Sequence, residues 1–223
     1  MIPLRDVIPS RTTPYITITI IILNALAWLF EVSLDPEVLN RFLAVYGVVP
    51  AYFSAPTLIT SMFLHGGWMH IIGNMWYLWI FGDNVEDQLG HGRFIVFYLL
   101  CGVAAGLGQV FMDPSSTLPT IGASGAIAGV MGAYFVLYPR SRVLTLIPLI
   151  IIWEVIELPA FVLLGFWFLL QLFSAGSIAV TASSHGSGGV AFAAHVAGFL
   201  VGMAGVFVFR KRQPSRWEAS DYS

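Results

Sequence analysis

Long apolar stretches follow one another along this chain, and the short segments between them hold most of the charged residues. A helix needs about 20 mostly apolar residues to cross a bilayer, and six stretches approach that length. They cover residues 15–32, 68–85, 94–111, 124–138, 158–173 and 189–209. The hydrophobic pattern therefore predicts an all-α membrane protein with six transmembrane helices.

One further apolar stretch, residues 144–157, does not fit a seventh helix. Pro148 and Pro159 bracket it, and Glu154 and Glu157 would place two carboxylates in lipid. Its run of isoleucines favours extended structure. We expect an interfacial or partly re-entrant segment at this position.

The composition supports a lipid environment. Hydrophobic residues make up 57% of the chain and charged residues 10%, whereas soluble domains carry about 25% charged residues. The net charge of -2 gives no indication of nucleic-acid binding. The single cysteine, Cys101, excludes an internal disulfide and a multi-cysteine metal cluster. We expect no metal and no cofactor.

The positive charges predict the orientation. With the N-terminus inside, Arg41 is the one member of the 10 Lys and Arg residues on the outer side. We therefore expect a cytoplasmic N-terminus at 1–14, one six-span domain at 15–210 and a cytoplasmic tail at 211–223. We predict neither a signal peptide nor a transit peptide, which favours the plasma membrane of a prokaryote.

Two outer loops differ in character. Residues 33–67 contain many aromatic and aliphatic side chains, so this loop is expected to lie in the interface or against the helices. Residues 175–188 are rich in Gly and Ser, a composition typical of a mobile flap.

The segment Gly122-Ala123-Ser124-Gly125 opens the fourth predicted helix. At a helix N-terminus, unpaired backbone N–H groups and the helix dipole favour a developing negative charge beside Ser124. The same four residues would also suit an ordinary helix cap. A nucleophile needs a base close by.

His195 in the sixth predicted helix could be that base. Gly198 and Gly202 follow it on the same helix face, and small residues at 124, 128 and 132 form a matching stripe. Small residues let helices approach closely in lipid, which a Ser124–His195 hydrogen bond requires. Both residues also fall at a similar depth below the outer surface. A glycine-mediated contact with an incidental histidine is the alternative.

His70 and Asn74 lie four residues apart on one face of the second predicted helix, in the same outer layer. Such a pair could be half of a metal site, but the sequence has no HExxH pattern. Uncharged donors suit an oxyanion hole, together with the Ser124 backbone N–H. No carboxylate accompanies His195 along its helix, so a dyad is predicted rather than a triad.

These motifs together resemble the rhomboid intramembrane serine proteases. The resemblance rests on the segment 122–125, on His195 with its two glycines, and on the His70 and Asn74 pair. It implies a six-helix rhomboid-like bundle with Ser124 as nucleophile, His195 as base, and His70 and Asn74 around the oxyanion. It further implies a membrane-embedded first outer loop and a fifth span that, with the last outer loop, gates lateral substrate access.

The resemblance is incomplete at two places. Some family members carry an aromatic residue four positions after the serine, which stacks on the base, whereas this chain has Ala128. A Trp-Arg pair found in the first loop of some members is also missing. We expect single-span or multi-span membrane-protein substrates, contact with membrane lipids, and no obligate partner. A catalytically silent client-binding protein and a small transporter are the alternatives.

Overall fold

The computed structural model describes residues 1–148, 153–181 and 191–210, which are mainly helical. The eight helices of these residues are α1 Tyr15–Glu31, α2 Pro36–Tyr46, α3 Thr57–Thr60, α4 Trp68–Leu89, α5 His91–Met112, α6 Ser124–Leu137, α7 Ala160–Thr181 and α8 Phe192–Phe209. The three strands are β1 Ile2–Asp6, β2 Arg142–Pro148 and β3 Trp153–Pro159.

A helix lies at each of the six stretches predicted from hydrophobicity, namely α1, α4, α5, α6, α7 and α8. Among the described residues, α5 and α8 are long and apolar enough to cross a membrane unaided. Three shorter apolar helices cover Tyr15–Glu31, Ser124–Leu137 and Ala160–Ser174. In α4, acidic residues occupy the last two turns.

The prediction of an all-α protein is wrong for residues 142–148 and 153–159. β2 and β3 form an antiparallel hairpin, and β1 pairs with β2 to complete a three-stranded sheet. The β-branched side chains of this region favour strands, and β1 supplies the partner that a lone hairpin needs. The described residues of the segment 144–157 thus lie in a sheet, which agrees with the extended structure that its isoleucines favour. Its interfacial or re-entrant position stays a prediction, and residues 149–152 lie outside the described part.

The predicted flap at 175–188 begins as helix, because α7 continues to Thr181. Residues 182–188 lie outside the described residues, as do the basic residues of the tail after Arg210.

The first outer loop, residues 33–67, packs against the helices. It holds α2, α3 and two 3-10 turns, Pro50–Tyr52 and Ser61–Phe63. Leu58, Met62 and Leu64 are buried. The loop therefore contributes to the packed interior, and its embedding in the membrane stays a prediction.

Helix α6 lies in the centre of the molecule. Every residue from Gly125 to Tyr134 is buried. These residues are mostly Gly and Ala, so neighbouring helices can pack against the α6 backbone. The central position fixes the start of α6, and with it Ser124, relative to α4, α5 and α8.

The C-terminal end of α4, called its inner end after the predicted orientation, holds the start of α1. Glu86 is fully buried, and its carboxylate accepts hydrogen bonds from the backbone N–H groups of Ile16 and Thr17 at 2.9 and 2.8 Å. It also accepts from the Thr17 hydroxyl and contacts His91 Nδ1 at 2.6 Å. A carboxylate from another helix therefore satisfies the free N–H groups of the first turn of α1.

Candidate active site

Ser124 and His195 lie within hydrogen-bonding distance although 71 residues separate them. Ser124 is the first residue of α6, and its Oγ lies 2.8 Å from Nε2 of His195 in the first turn of α8. His195 is buried, and Ser124 is half-buried. The predicted pair is therefore brought together, with a geometry that allows the imidazole to accept the serine proton.

The contact between α6 and α8 depends on glycines. A Cβ atom added to Gly198 would collide with the carbonyl oxygen of Gly125, and one added to Gly202 would collide with that of Gly129. Gly132 of the predicted stripe also meets the α8 backbone closely, at Phe199, while Gly125 and Gly129 add contacts that the stripe did not include.

Gly125 has a second neighbour. An added Cβ would collide with the Ala105 side chain on α5, so Gly125 brings α5 and α8 together at the start of α6. The Ser124–His195 distance is therefore set by backbones in direct contact.

His70 and Asn74 lie beside Gly122, two residues before Ser124. A Cβ atom added to Gly122 would lie 2.7 Å from Nε2 of His70 and 3.6 Å from Nδ2 of Asn74. Asn74 is buried, and its Nδ2 has no hydrogen-bond partner. An unpaired buried donor is costly, so its position facing the Ser124 segment requires a reason.

The tautomer of His70 follows from its other contact. Its Nδ1 accepts a hydrogen bond from the Gly66 backbone N–H at 3.2 Å. In the neutral ring the proton then lies on Nε2, the atom nearest to Gly122. His70 Nε2 and Asn74 Nδ2 are thus two donors directed to one side of the Ser124 segment.

The first outer loop holds the chain that leads to Ser124. Val48 and Thr120 form a two-residue bridge, with backbone hydrogen bonds of 3.0 and 2.8 Å. Gly122 donates its N–H to the carbonyl oxygen of Ser61 at 2.9 Å. Gly122 has a φ of +121°, a conformation that L side chains rarely adopt. A glycine is therefore required at 122 for both backbone conformation and space.

Side chains from α7 and α8 orient the His195 ring in the absence of an aromatic residue at 128. Trp167 lies with its ring centroid 5.7 Å from that of His195, and Phe192 lies at 6.5 Å. Gln171 on α7 places its Oε1 2.7 Å from His195 Nδ1. Gln171 is a polar residue within the apolar stretch 158–173, but the helix rotation that brings it to His195 is not readable from one sequence.

A second histidine lies behind His70. His65 is almost fully buried in the first outer loop, and its ring meets that of His70 edge to face at 5.1 Å. Burial, with a smaller contribution from His70, lowers the pKa of His65 to about 4. His65 is therefore neutral at neutral pH. Across the described ranges, no group of three or more His, Cys, Asp or Glu side chains is arranged to hold a metal ion.

Comparison with known proteins identifies one family. The sequence profile described as the Rhomboid domain matches residues 53–212, which is more than half of the chain. The matched region contains His70, Asn74, Ser124, Gln171 and His195.

Several characterised proteins are similar to the chain. Rhomboid-like protein 11, chloroplastic, of Arabidopsis thaliana is 27% identical over 201 residues, 84% of this chain and 66% of that protein. RHOMBOID-like protein 6, mitochondrial, of the same plant is 31% identical over 162 residues, which is 72% of this chain and 46% of that protein. Rhomboid protease GluP of Bacillus subtilis is 40% identical over 76 residues, which is 34% of this chain and 14% of that protein. The chain spans less than two thirds of the length of each of these relatives.

Proposed function

Because this chain belongs to the rhomboid family, whose members are embedded in membranes, we propose that it is an intramembrane serine protease. The observation that carries the proposal is the 2.8 Å contact between Ser124 Oγ and His195 Nε2. A rhomboid-like protein that only bound client helices would need no such contact.

In the proposed reaction, Ser124 Oγ attacks the carbonyl carbon of a substrate peptide bond while His195 Nε2 takes the serine proton. His195 then gives this proton to the departing amine, and an acyl-enzyme remains on Ser124. A water molecule, deprotonated by the same nitrogen, hydrolyses the ester and frees the serine. No metal or cofactor takes part in this scheme.

The oxyanion of each tetrahedral intermediate would lie beside Gly122. His70 Nε2, Asn74 Nδ2 and the Ser124 backbone N–H would donate hydrogen bonds to it. The free donor of Asn74 and the glycine at 122 support this assignment. The N-terminus of α6 would add the favourable end of its dipole.

In the membrane, we expect α1, α4, α5, α6, α7 and α8 to span the bilayer with the site near the outer surface. The positive-inside distribution supports this orientation, with both termini cytoplasmic. Two of the relatives carry chloroplast and mitochondrial names, and a third is bacterial. The plasma membrane of a prokaryote remains our proposal for the location.

Substrates would be single-span or multi-span membrane proteins that reach the site laterally. Helix α7 with the outer loop after it would form the access side, since α7 presents exposed Phe161, Phe166 and Phe173 to lipid. The substrate helix would have to unwind locally, because a carbonyl bonded within a helix is poorly open to attack.

The test is cleavage of a labelled single-span substrate by the purified protein in liposomes. We expect the wild type to cleave it and Ser124→Ala to lose the activity, with the Ser115→Ala variant as a surface-serine control. Cleavage that persists in Ser124→Ala would contradict the assignment of Ser124 as the nucleophile. If the intact protein binds the substrate but never cleaves it, the client-binding alternative is favoured. A solute flux through the liposomes that both Ser124→Ala and Ser115→Ala leave unchanged would favour a transporter.

A further inference from the structure

The Nδ1 side of His195 has a polar partner that the dyad does not include. Gln171 Oε1 lies 2.7 Å from His195 Nδ1, on the opposite side of the ring from Ser124. Gln171 belongs to α7, whereas Ser124 and His195 belong to α6 and α8. Three helices therefore meet at one imidazole.

The two hydrogen bonds of His195 determine its tautomer. A serine hydroxyl that is to be deprotonated must donate its proton towards Nε2, so Nε2 has to be unprotonated in the resting enzyme. The single proton of the neutral ring is then on Nδ1. The amide oxygen of Gln171 can accept this N–H, and it has no proton of its own to offer there.

The packing of α7 positions Gln171. Phe168, one turn before it, stacks on Phe199 of α8 with ring centroids 4.6 Å apart. Trp167, four residues before Gln171, lies against both His195 and Phe199. Side chains, rather than backbone contact, thus bring the amide to the imidazole.

From this geometry we propose that Gln171 is a positioning residue that holds His195 in the tautomer with the proton on Nδ1. The proposal rests on the proposed protease function. Ala128 leaves no aromatic ring to stack on His195 from α6, so the hydrogen bond from α7 supplies the orientation. The Gln171 amide also stabilises the imidazolium that forms when His195 Nε2 takes the serine proton. Its oxygen continues to accept the hydrogen bond from Nδ1–H.

The experiment compares Gln171→Leu and Gln171→Glu in full-length protein, with Leu172→Ala as control. Leu172 is the next residue of α7, and its side chain is about half exposed. Turnover of the labelled substrate and the rate of fluorophosphonate labelling are measured for each protein. We expect Gln171→Leu to lower kcat about tenfold with KM little changed, as expected for loss of one neutral hydrogen bond.

The pH profile separates positioning from mere support of the fold. Glu at 171 keeps an acceptor for Nδ1 and adds a negative charge beside the imidazole. We therefore expect Gln171→Glu to restore most of the rate and to move the acidic limb of the kcat/KM profile to higher pH by about one unit or more. Within the described ranges, His70 on α4 is a further titratable group whose charge acts on His195, and it is unchanged in both variants.

The outcomes are distinct. If wild type and Leu172→Ala are active and Gln171→Leu matches them, the positioning role is wrong while the protease function stands. Equal losses in both Gln171 variants, with an unshifted acidic limb, also overturn the role, because a purely structural defect would behave in this way. If the wild type itself neither cleaves nor labels at Ser124, the proposed function has failed first. If Gln171→Leu does not fold, the position of the acidic limb in the kcat/KM profile of Gln171→Glu tests the positioning role by itself.

Discussion

The two ends of α4 carry buried polar side chains that behave in opposite ways. At the inner end, the carboxylate oxygens of Glu86 accept hydrogen bonds from the first turn of α1 and contact His91. At the outer end, Asn74 Nδ2 has no partner, and neither do the two ring nitrogens of His65 in the loop before α4. One acceptor, Asn84 Oδ1, is also unpaired at the inner end, but the free donor Asn74 Nδ2 faces Gly122. A buried donor usually finds a partner, so the outer end is where a reacting group is expected.

The difference teaches how to separate structural from functional polar residues inside a membrane domain. The inner cluster uses its hydrogen-bonding capacity to hold chain segments together. At the outer end, His70 Nε2 and Asn74 Nδ2 face Gly122 beside the candidate nucleophile. Substitutions at the inner end should therefore lower stability, and substitutions at the outer end should lower turnover.

The largest effect is expected from Gly122→Ala. The new methyl group would lie 2.7 Å from His70 Nε2, in the space proposed for the oxyanion. Loss of this stabilisation lowers kcat by about 10²- to 10³-fold. The positive φ of Gly122 adds strain of about 1–3 kcal/mol, so turnover is measured per folded molecule.

Gly73→Ala is the matched control for this substitution, since its added Cβ meets no atom within 4 Å. Gly73 lies in the same helix as His70 and Asn74. Wild-type turnover in Gly122→Ala would mean that the oxyanion lies elsewhere.

Asn74→Leu sharpens the comparison at the outer end. The substitution removes the unpaired amide and keeps the side-chain size, so we expect kcat to fall about tenfold or more. The free energy of unfolding should stay the same or rise, because no hydrogen bond of Nδ2 is lost. A clear loss of stability with unchanged turnover would reverse the assignment of the two ends of α4.

Glu86→Gln should show the opposite behaviour at the inner end. It weakens the charge-assisted hydrogen bonds to Ile16 and Thr17, and the free energy of unfolding should fall by about 1–3 kcal/mol. Turnover per folded molecule should not change. Denaturation in mixed micelles, combined with the cleavage assay, measures both quantities.

Glu157→Gln is the control for Glu86→Gln. Its carboxylate forms an exposed ion pair with Arg142 at 3.4 Å, and such pairs contribute about 0–1 kcal/mol. Equal stability losses in the two variants would show that the buried Glu86 contacts stabilise the fold no more than an exposed ion pair does.

The smallest effect concerns Asp6 in β1, outside the helices. Burial, and less strongly the charge of Asp83, raises the pKa of Asp6 from 3.8 to about 6, against the opposing effect of the Tyr134 hydrogen bond. The fold thus favours the protonated form. Its stabilising contribution is complete below pH 3.8 and is lost as the pH rises through about 6.

We therefore expect the wild type to lose a little stability between about pH 4 and pH 7, and Asp6→Asn to show a flatter profile. Asp6 is partly exposed, so the change should stay below about 1 kcal/mol. Thermal unfolding at a series of pH values measures it. A wild-type stability that rises over the same range, by an amount that Asp6→Asn abolishes, would contradict a raised pKa for Asp6.

Much of the fold could be predicted because lipid imposes simple rules. Length and apolarity located the six main helices, and glycines beside His195 predicted its contact with the helix of Ser124. The contact also uses Gly125 and Gly129, which the predicted stripe did not include, since small residues occupy two adjacent faces of α6. The close approach of α6 and α8 depends on which α6 carbonyl groups meet the glycines of α8. That register also depends on the packing of α5 against α6.

Two features depend on contacts that a single sequence does not encode locally. The hairpin of β2 and β3 is completed by β1, which lies more than a hundred residues earlier in the chain. The partner of His195 on its Nδ1 side depends on the rotation of α7 about its own axis. The uniformly apolar α7 gives no amphipathic pattern from which this rotation could be read.

The central claim is that His195 activates Ser124, and the most direct measurement is the rate of fluorophosphonate adduct formation mapped by mass spectrometry. We predict one adduct on Ser124 in the wild type and a rate at least about 100-fold lower in His195→Ala. A wild type with no adduct on Ser124, or a His195→Ala variant that reacts at the wild-type rate, would contradict the account.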